Sequence, residues 1–384
     1  MIYLDNPATS WPKPPCMLEA MSEYMLKAGG NPGRSGHRMS TEAGRVVYEA
    51  RERIAGLFGI TNANRVAFSL NATMALNTAI LSILQPGDAV LTTSCEHNSV
   101  MRPLRHLEGK GIRLIIAKAS KDGALDLEDF EKKLKENPKL VVAAHASNVT
   151  GQIIPLEEIA GPVKESGAFF LLDAAQTAGA VDMSEMGNKV DIVAFAGHKG
   201  LLGPQGTGGL AICSDSAARE LKPILYGGTG SRSAFEIHPD KLPDRLESGT
   251  QNGIGIAGLG ASVQWLNENG IGILAKRTDS LTLGLAEGLR KIDGVVVYGP
   301  TKPCPGAHLI CFNVKGTSPA TMGQRLDERY GIMGRIGLHC SPASHKTIGT
   351  FPEGALRLGP GPFSTESEIE YTLNAVMETI EDGK

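Results

Sequence analysis

The stretch Asp191-Ile192-Val193-Ala194-Phe195-Ala196-Gly197-His198-Lys199-Gly200 decides how this chain reads. An apolar run of strand length, Ile192 to Ala196, delivers one lysine into the glycine-rich turn Gly200-Leu201-Leu202-Gly203-Pro204-Gln205-Gly206-Thr207-Gly208-Gly209. A second apolar run, Leu210 to Cys213, returns to the core. A lysine at the mouth of a buried strand loses hydration, which lowers its pKa and opens Schiff-base chemistry. A Lys-Gly pair between strands is otherwise an ordinary solvated loop. The reading of Lys199 therefore depends on what converges on it.

Working outward, apolar runs at 66–69, 89–93, 112–116, 140–144, 168–172, 191–195 and 209–213 are separated mostly by helical patterns such as Ala72 to Leu84 and Leu127 to Lys135. That alternation predicts an α/β fold with a seven-stranded, mainly parallel sheet and helices on both faces. Ligands in such sheets bind beyond the carboxyl ends of the strands. Those ends carry Asn71-Ala72-Thr73, Cys95-Glu96-His97, Asn148, Asp173-Ala174-Ala175-Gln176 and His198-Lys199. Singly each is a cap or turn residue; together they line one sheet edge.

Past Asn252 the pattern changes. Helical stretches from Gly253 to about Asn267 and near Leu274 to Leu289 precede short strands at Val295–Tyr298 and Leu309–Val314. A helix at Pro319–Tyr330, the segment Gly334-Arg335-Ile336-Gly337-Leu338-His339-Cys340, a strand ending at Arg357-Leu358 and a helix from about Glu366 follow. We expect an N-terminal arm (1–15) packing with a small α+β domain (263–384), and a large domain (16–262) carrying the ligand.

The 38 basic and 41 acidic residues are interspersed, net −3, which gives no footprint for nucleic acid or an anionic membrane. No apolar run approaches the roughly 18 residues of a membrane span. The N-terminus lacks a signal-peptide pattern, and six irregularly spaced cysteines form no CxxC pair. These features favour reduced thiols and a cytoplasmic enzyme.

A lysine imine alone suits an aldolase as well as pyridoxal 5′-phosphate (PLP). The rest of the set selects PLP. Asp173 can pair with the pyridinium nitrogen, and that cation offsets the cost of burying the carboxylate. Ala72 and Thr73 offer amides and a hydroxyl at a helix N-terminus, where phosphate is favoured. His97 is a candidate to stack on the ring, and Gln176 to hydrogen-bond its phenolic oxygen. The glycine-rich turn is no P-loop, because Gly200 follows Lys199. His339, Cys340 and His345 are too sparse for zinc, so no metal is expected.

The ordered set Asp173-x-x-Gln176, Gly197-His198-Lys199, Arg335-x-Gly337-x-His339-Cys340 and Arg357 resembles class V (fold type I) PLP enzymes. Within them it resembles the cysteine desulfurases and selenocysteine lyases, specifically the SufS-like branch, nearly end to end from Leu4-Asp5-Asn6-Pro7-Ala8-Thr9 to Leu358-Gly359-Pro360. The resemblance implies that Lys199 forms the imine, Asp173 meets the ring nitrogen, His97 stacks and Gln176 binds O3′. It implies that the Ala72 amide, Thr73 and His198 hold the phosphate, with Thr250 reaching it from the other subunit of a homodimer. Asn148 and Arg357 would bind the carboxylate of L-cysteine or L-selenocysteine, with Arg335, His339 and His37 nearby. Arg34 is a further candidate at the entrance. Cys340 would accept the sulfur as a persulfide, releasing alanine, for a sulfur-acceptor protein of the kind that feeds iron–sulfur cluster assembly. His339 and Arg335 are expected to favour its thiolate. Cys95 stands two residues from His97 with no implied role.

The resemblance departs at Ala196, where such enzymes commonly carry a serine, so one hydroxyl toward the phosphate is missing unless another group compensates. Selenocysteine lyase, or an aminotransferase or epimerase that ignores Cys340, are the competing readings. A sulfur-delivery or scaffold protein without turnover is the competing reading from another class.

Overall fold

A computed structural model describes residues 1–302 and 304–382; Pro303 and the last two residues of the expected small domain lie outside the described residues. The strands are β1 (Ile2–Tyr3), β2 (Val66–Ser69), β3 (Ala89–Thr93), β4 (Arg113–Ala117), β5 (Leu140–Ala144), β6 (Phe169–Asp173) and β7 (Ile192–Ala196). They continue with β8 (Gly208–Ile212), β9 (Val295–Tyr298), β10 (Ile310–Val314), β11 (Ile332–Met333), β12 (Arg335–Gly337) and β13 (Ala355–Leu358). Four helices matter most for the site: α1 (Pro15–Lys27), α2 (Arg38–Leu57), α3 (Ala72–Ile83) and α4 (Asn98–Glu108).

The large sheet has the order β2-β8-β7-β6-β5-β3-β4 and is parallel except for β8, which runs against both of its neighbours. Its central strands are apolar without interruption because both faces are covered. Phe170, Leu172, Val193 and Phe195 enter one core, while Leu171, Ile192 and Ala194 enter the other. The expected α/β architecture with seven strands is the observed one. Gly208 lets β8 start hard against the cap of α3: a Cβ there would sit 2.7 Å from the carbonyl carbon of Asn71.

A second sheet, β12-β13-β10-β9, is antiparallel and packs a core of its own that includes Leu285, Phe312, Leu326, Leu356 and Val376. β1 pairs in parallel with β11, and Asp5 bridges to Gly359, so the N-terminal arm is stitched to this second body. The division expected after residue 262 falls inside a continuous helix, Gly253–Asn269. Its Ile256, Leu259, Val263 and Leu266 all belong to a core of the large sheet, so no boundary forms before its last turn. All six cysteines are free thiols, and among the described residues no helix is long and apolar enough to cross a membrane.

Candidate active site

A cavity of about 170 Å³ opens at the carboxyl ends of β5, β6 and β7, against the N-termini of α3 and α4. Asn71, Ala72, Thr73, His97, Ser99, Asn148, Asp173, Gln176, Ala196, His198 and Lys199 border it. Residues spread over 129 positions of sequence, from 71 to 199, thus meet at the edge where parallel-sheet geometry directs ligands.

Gly197 forms the turn that presents Lys199, since a Cβ there would lie 2.1 Å from Thr207 Oγ1. Burial lowers the Lys199 amine to about 8, against the opposing pull of Asp173. The N-terminal arm grips this turn. Ser10 Oγ donates to the Lys199 carbonyl (2.9 Å), while the Ser10 amide (3.0 Å) and Lys13 Nζ (2.8 Å) donate to the His198 carbonyl. Asp173 ends β6 between Ala144 and Ala194. Its carboxylate accepts from the Ala175 amide (2.9 Å), and burial raises its pKa.

His97 caps α4. The amide of Ser99 donates to its Nδ1 (3.0 Å), so Nδ1 is an acceptor and the neutral ring carries its proton on Nε2. Burial, with Lys199 second, lowers His97 to about 4, which keeps it neutral. Thr73 Oγ1 lies 2.7 Å from Ser99 Oγ at the start of α3. His198 Nδ1 is buried with no hydrogen-bond partner. Gln176 Nε2 donates to the Pro7 carbonyl at 3.2 Å. Beneath the cavity, buried Glu96 accepts from Thr93 Oγ1 (2.7 Å) and the Ala144 amide, and burial raises it to about 8.

Two arginines of the second body, Arg335 and Arg357, act electrostatically on Lys199 and His97. Arg357 on β13 is 1 % exposed; Nη1 donates to the Asn148 carbonyl and Nη2 to Asp5 Oδ1, both at 2.9 Å, while Nε has no partner. Arg335 on β12 lies opposite Arg357 in register, and its Nη2 is 3.5 Å from Cys340 Sγ. Cys340 is exposed, in a turn where His339 (φ 49°) and Cys340 (φ 58°) are both left-handed. Each such non-glycine residue costs of order 1 kcal/mol, which the surroundings must over-determine. They do: the Asn98 amide donates to the Cys340 carbonyl (2.9 Å), and Asn148 Nδ2 to the His339 carbonyl (2.7 Å).

Several expected contacts come out differently. Asn148 borders the cavity, but its amide is occupied by the cysteine turn, because Oδ1 also accepts from Ser341 Oγ at 2.6 Å. His339 is buried with both ring nitrogens engaged: Nε2 donates to the Arg335 carbonyl (3.0 Å) and Nδ1 accepts from His345 Nε2 (3.1 Å). Burial, then Arg357, lowers it to about 3, so it is neutral and only Arg335 of the pair brings charge to the sulfur. His37 is exposed and caps α2, accepting from the Ser40 amide (3.3 Å). Arg34 ties down the Gly228 and Gly249 carbonyls. Thr250 is exposed beside Asn31, apart from the cavity of its own chain. Cys95 is buried, its thiol pushed up to about 11 by burial. Sequence reasoning missed Asp5, Ser10, Lys13, Ser99 and Ser341. Asp5 left no local signal, since the buried arginine it pairs with lies 352 residues away.

An α/β fold of this topology, with a desolvated lysine facing a buried aspartate, defines a class. The chain belongs to the class-V aminotransferase family, whose profile matches residues 2–372. Relatives include a probable cysteine desulfurase of Pyrococcus abyssi, 35% identical over 388 residues (99% of this chain, 94% of that one). A probable cysteine desulfurase of Methanothermobacter thermautotrophicus is 32% identical over 386 residues, with the same coverage of 99% and 94%. Among solved structures, the apo cysteine desulfurase of Thermococcus onnurineus NA1 superposes with a TM-score of 0.91 at 34% identity, covering 99% of this chain and 95% of that one. An S-sulfonic acid form of a cysteine desulfurase from Escherichia coli gives 0.86 at 26%, covering 99% and 94%.

Enzymes of this family depend on PLP, and the residues here fit it. The orphaned His198 Nδ1 and the open first turn of α3 suit a phosphate, and a buried carboxylate with a single side-chain hydrogen bond suits a ring cation. No cluster of His, Cys, Asp and Glu suited to a metal occurs among the described residues.

Proposed function

We propose that this protein is a PLP-dependent cysteine desulfurase that converts L-cysteine to L-alanine and carries the sulfur as a persulfide on Cys340. The observation that carries this reading is the hydrogen bond from the Asn98 amide to the Cys340 carbonyl. It ties the backbone of Cys340, the residue that carries the exposed thiol, to the residue next to His97 of the Lys199 cavity. Lys199 would bind the cofactor, Asp173 its ring nitrogen, His97 its ring face and Gln176 its O3′. The Ala72 amide, Thr73 and His198 would hold its phosphate. When bound, PLP supplies an electron sink for the bond changes at the substrate carbons. Arg357, with its unpartnered Nε, would take the substrate carboxylate. The Lys199 amine, already lowered toward neutrality, is suited to take the Cα proton. The Cys340 thiolate attacks the substrate sulfur. A new S–S bond forms as the substrate C–S bond breaks, and its electron pair stays on the carbon fragment. That fragment gains a proton at Cβ, recovers one at Cα from Lys199 and leaves as L-alanine, and the terminal sulfur passes to an acceptor protein or thiol, iron–sulfur cluster assembly being one such route.

The holoenzyme should release alanine and sulfide from L-cysteine with a thiol present, and Cys340→Ala should lose nearly all of this. Undiminished cysteine turnover in Cys340→Ala would remove the thiol from the mechanism. L-Selenocysteine turned over far faster than L-cysteine, and independently of Cys340, would assign the protein as a selenocysteine lyase instead.

The working unit in this reading is a cytoplasmic homodimer. Exposed Leu18, Met25, Leu26, Tyr226, Phe235 and Ile237 provide apolar surface for it, and exposed Thr250 is free to reach the phosphate in the partner. Mixing Lys199→Ala with Thr250→Ala chains should restore activity that neither has alone, since each hybrid holds one site with both wild-type residues. No complementation in demonstrated hybrids would place Thr250 outside the partner's site.

A further inference from the structure

Ser99 is the side chain in the cavity that the mechanism above leaves without a task. It sits in the first turn of α4, two residues beyond the His97 cap, 8 % exposed and bordering the cavity. Its hydroxyl lies between two groups assigned to the cofactor: Oγ is 2.7 Å from Thr73 Oγ1 and 2.9 Å from His97 Nδ1. Across the same cavity, β7 ends in Ala196, whose methyl contributes no hydroxyl.

Counting protons shows what Ser99 can do. Nδ1 of His97 already accepts the Ser99 amide, so the ring does not need the Ser99 hydroxyl. The two hydroxyls then have two arrangements. In one, Thr73 donates to Ser99 and Ser99 donates to Nδ1 or into the cavity, and the Thr73 proton does not face a ligand. In the other, Ser99 donates to Thr73 Oγ1, and the Thr73 proton is free to point at a ligand. A hydrogen bond to an anion is about twice as strong as a neutral one, and a donor whose oxygen itself accepts a bond is polarised further. An anion beside Thr73 therefore selects the second arrangement.

We propose that Ser99 makes up for the hydroxyl absent at Ala196, acting as a positioning residue that turns and polarises Thr73 toward the phosphate of PLP. This rests on the PLP reading, and deepens it by naming how this chain holds the phosphate. Ser99 links the phosphate end to the ring-stacking histidine, because the same serine supplies the amide that fixes the His97 tautomer and the hydroxyl that aims Thr73.

The test compares the full-length chain, freed of cofactor, for binding of PLP and of pyridoxal, which lacks the phosphate, read from absorbance. Ser99→Ala keeps the Thr73 hydroxyl but not its aim, so the loss is bounded by a whole charge-assisted contact, roughly 1.5–3 kcal/mol, and each 1.4 kcal/mol is tenfold in affinity. Ser99→Ala should thus weaken PLP on the order of tenfold and leave pyridoxal unchanged. Ala196→Ser placed in the Ser99→Ala background should recover PLP affinity. Thr73→Val with Ser99→Ala should bind PLP no worse than Thr73→Val alone, since Ser99 acts through Thr73. Unaltered PLP affinity in Ser99→Ala, equal weakening of PLP and pyridoxal, or additive losses in the double variant would each overturn the proposal. Should Ser99→Ala fold poorly, Ser99→Thr, which keeps the hydroxyl, must retain wild-type PLP affinity for the proposal to stand. A wild-type chain that binds neither compound would instead dispose of the PLP reading itself.

Discussion

Lys199 shows how much one residue's chemistry depends on its seat. An exposed lysine stays protonated up to about pH 10.4. Here burial outweighs the attraction of Asp173 and brings the amine to about 8. Only the neutral amine is a nucleophile toward an aldehyde. The rate at which the cofactor-free chain combines with pyridoxal should therefore rise with pH through about 8 and level off above it. A rate still climbing at pH 10 would show an ordinary, solvated lysine. Of the residues around it, Asp173, His97 and Gln176 were legible because each lies within four residues of the end of an apolar run. Ser99 was not, since a serine in the first turn of a helix is common for capping reasons alone. Asn148 and His339 were legible as site residues, but not the bonds they spend on the cysteine turn, whose partners lie 191 and 6 residues away.

Among the elements, the turn carrying Cys340 is the one that places two successive non-glycine residues in the left-handed region. Two successive left-handed residues are held by α4 on one side and by Asn148 on the other. Ser341 is part of this latch: it is fully buried, and its hydroxyl satisfies Asn148 Oδ1. Removing it leaves a buried acceptor unpaired, at a cost of about 1–3 kcal/mol. Ser341→Ala should lower kcat for L-cysteine several-fold with little change in KM, because the turn loses its set while Arg357 keeps its own contacts. A raised KM at constant kcat would instead tie Ser341 to substrate binding. The strands of the large sheet were readable to within a residue, because strands covered on both faces are continuously apolar. Helix ends were less so. α2 begins at Arg38 because the His37 imidazole does the capping, a residue type outside the usual set of caps.

At the scale of the molecule, buried titratable groups set an acid limit. His97, His145, His198 and His345 are lowered to about 4 and His339 to about 3, each chiefly by burial. Unfolded histidines take up protons from about pH 6.5 downward. Between that value and about 4 the unfolded chain binds more protons at these sites, so stability falls as pH falls. Glu96 and Asp173, raised by burial, act in the opposite sense, since the folded chain holds their protons more tightly. Five histidines outweigh two carboxyls in that window. The urea midpoint should be lower at pH 5 than at pH 7. An equal or higher midpoint at pH 5 would contradict this balance.

By itself the sequence determined the layered α/β architecture, the sheet edge where the cavity opens, and the lysine, aspartate and histidine that meet there. These follow from periodicity and from polar residues at strand ends, both local signals. Only the tertiary structure decided who pairs with whom. It gave Arg357 its counter-ion in Asp5, 352 residues away, and gave the Lys199 turn its grip from Ser10 and Lys13. It also assigned Asn148 to the cysteine turn and joined Ser99 to Thr73. A buried polar atom must find a partner within about 3 Å, and which one it finds is settled by packing between distant segments, which no local pattern records.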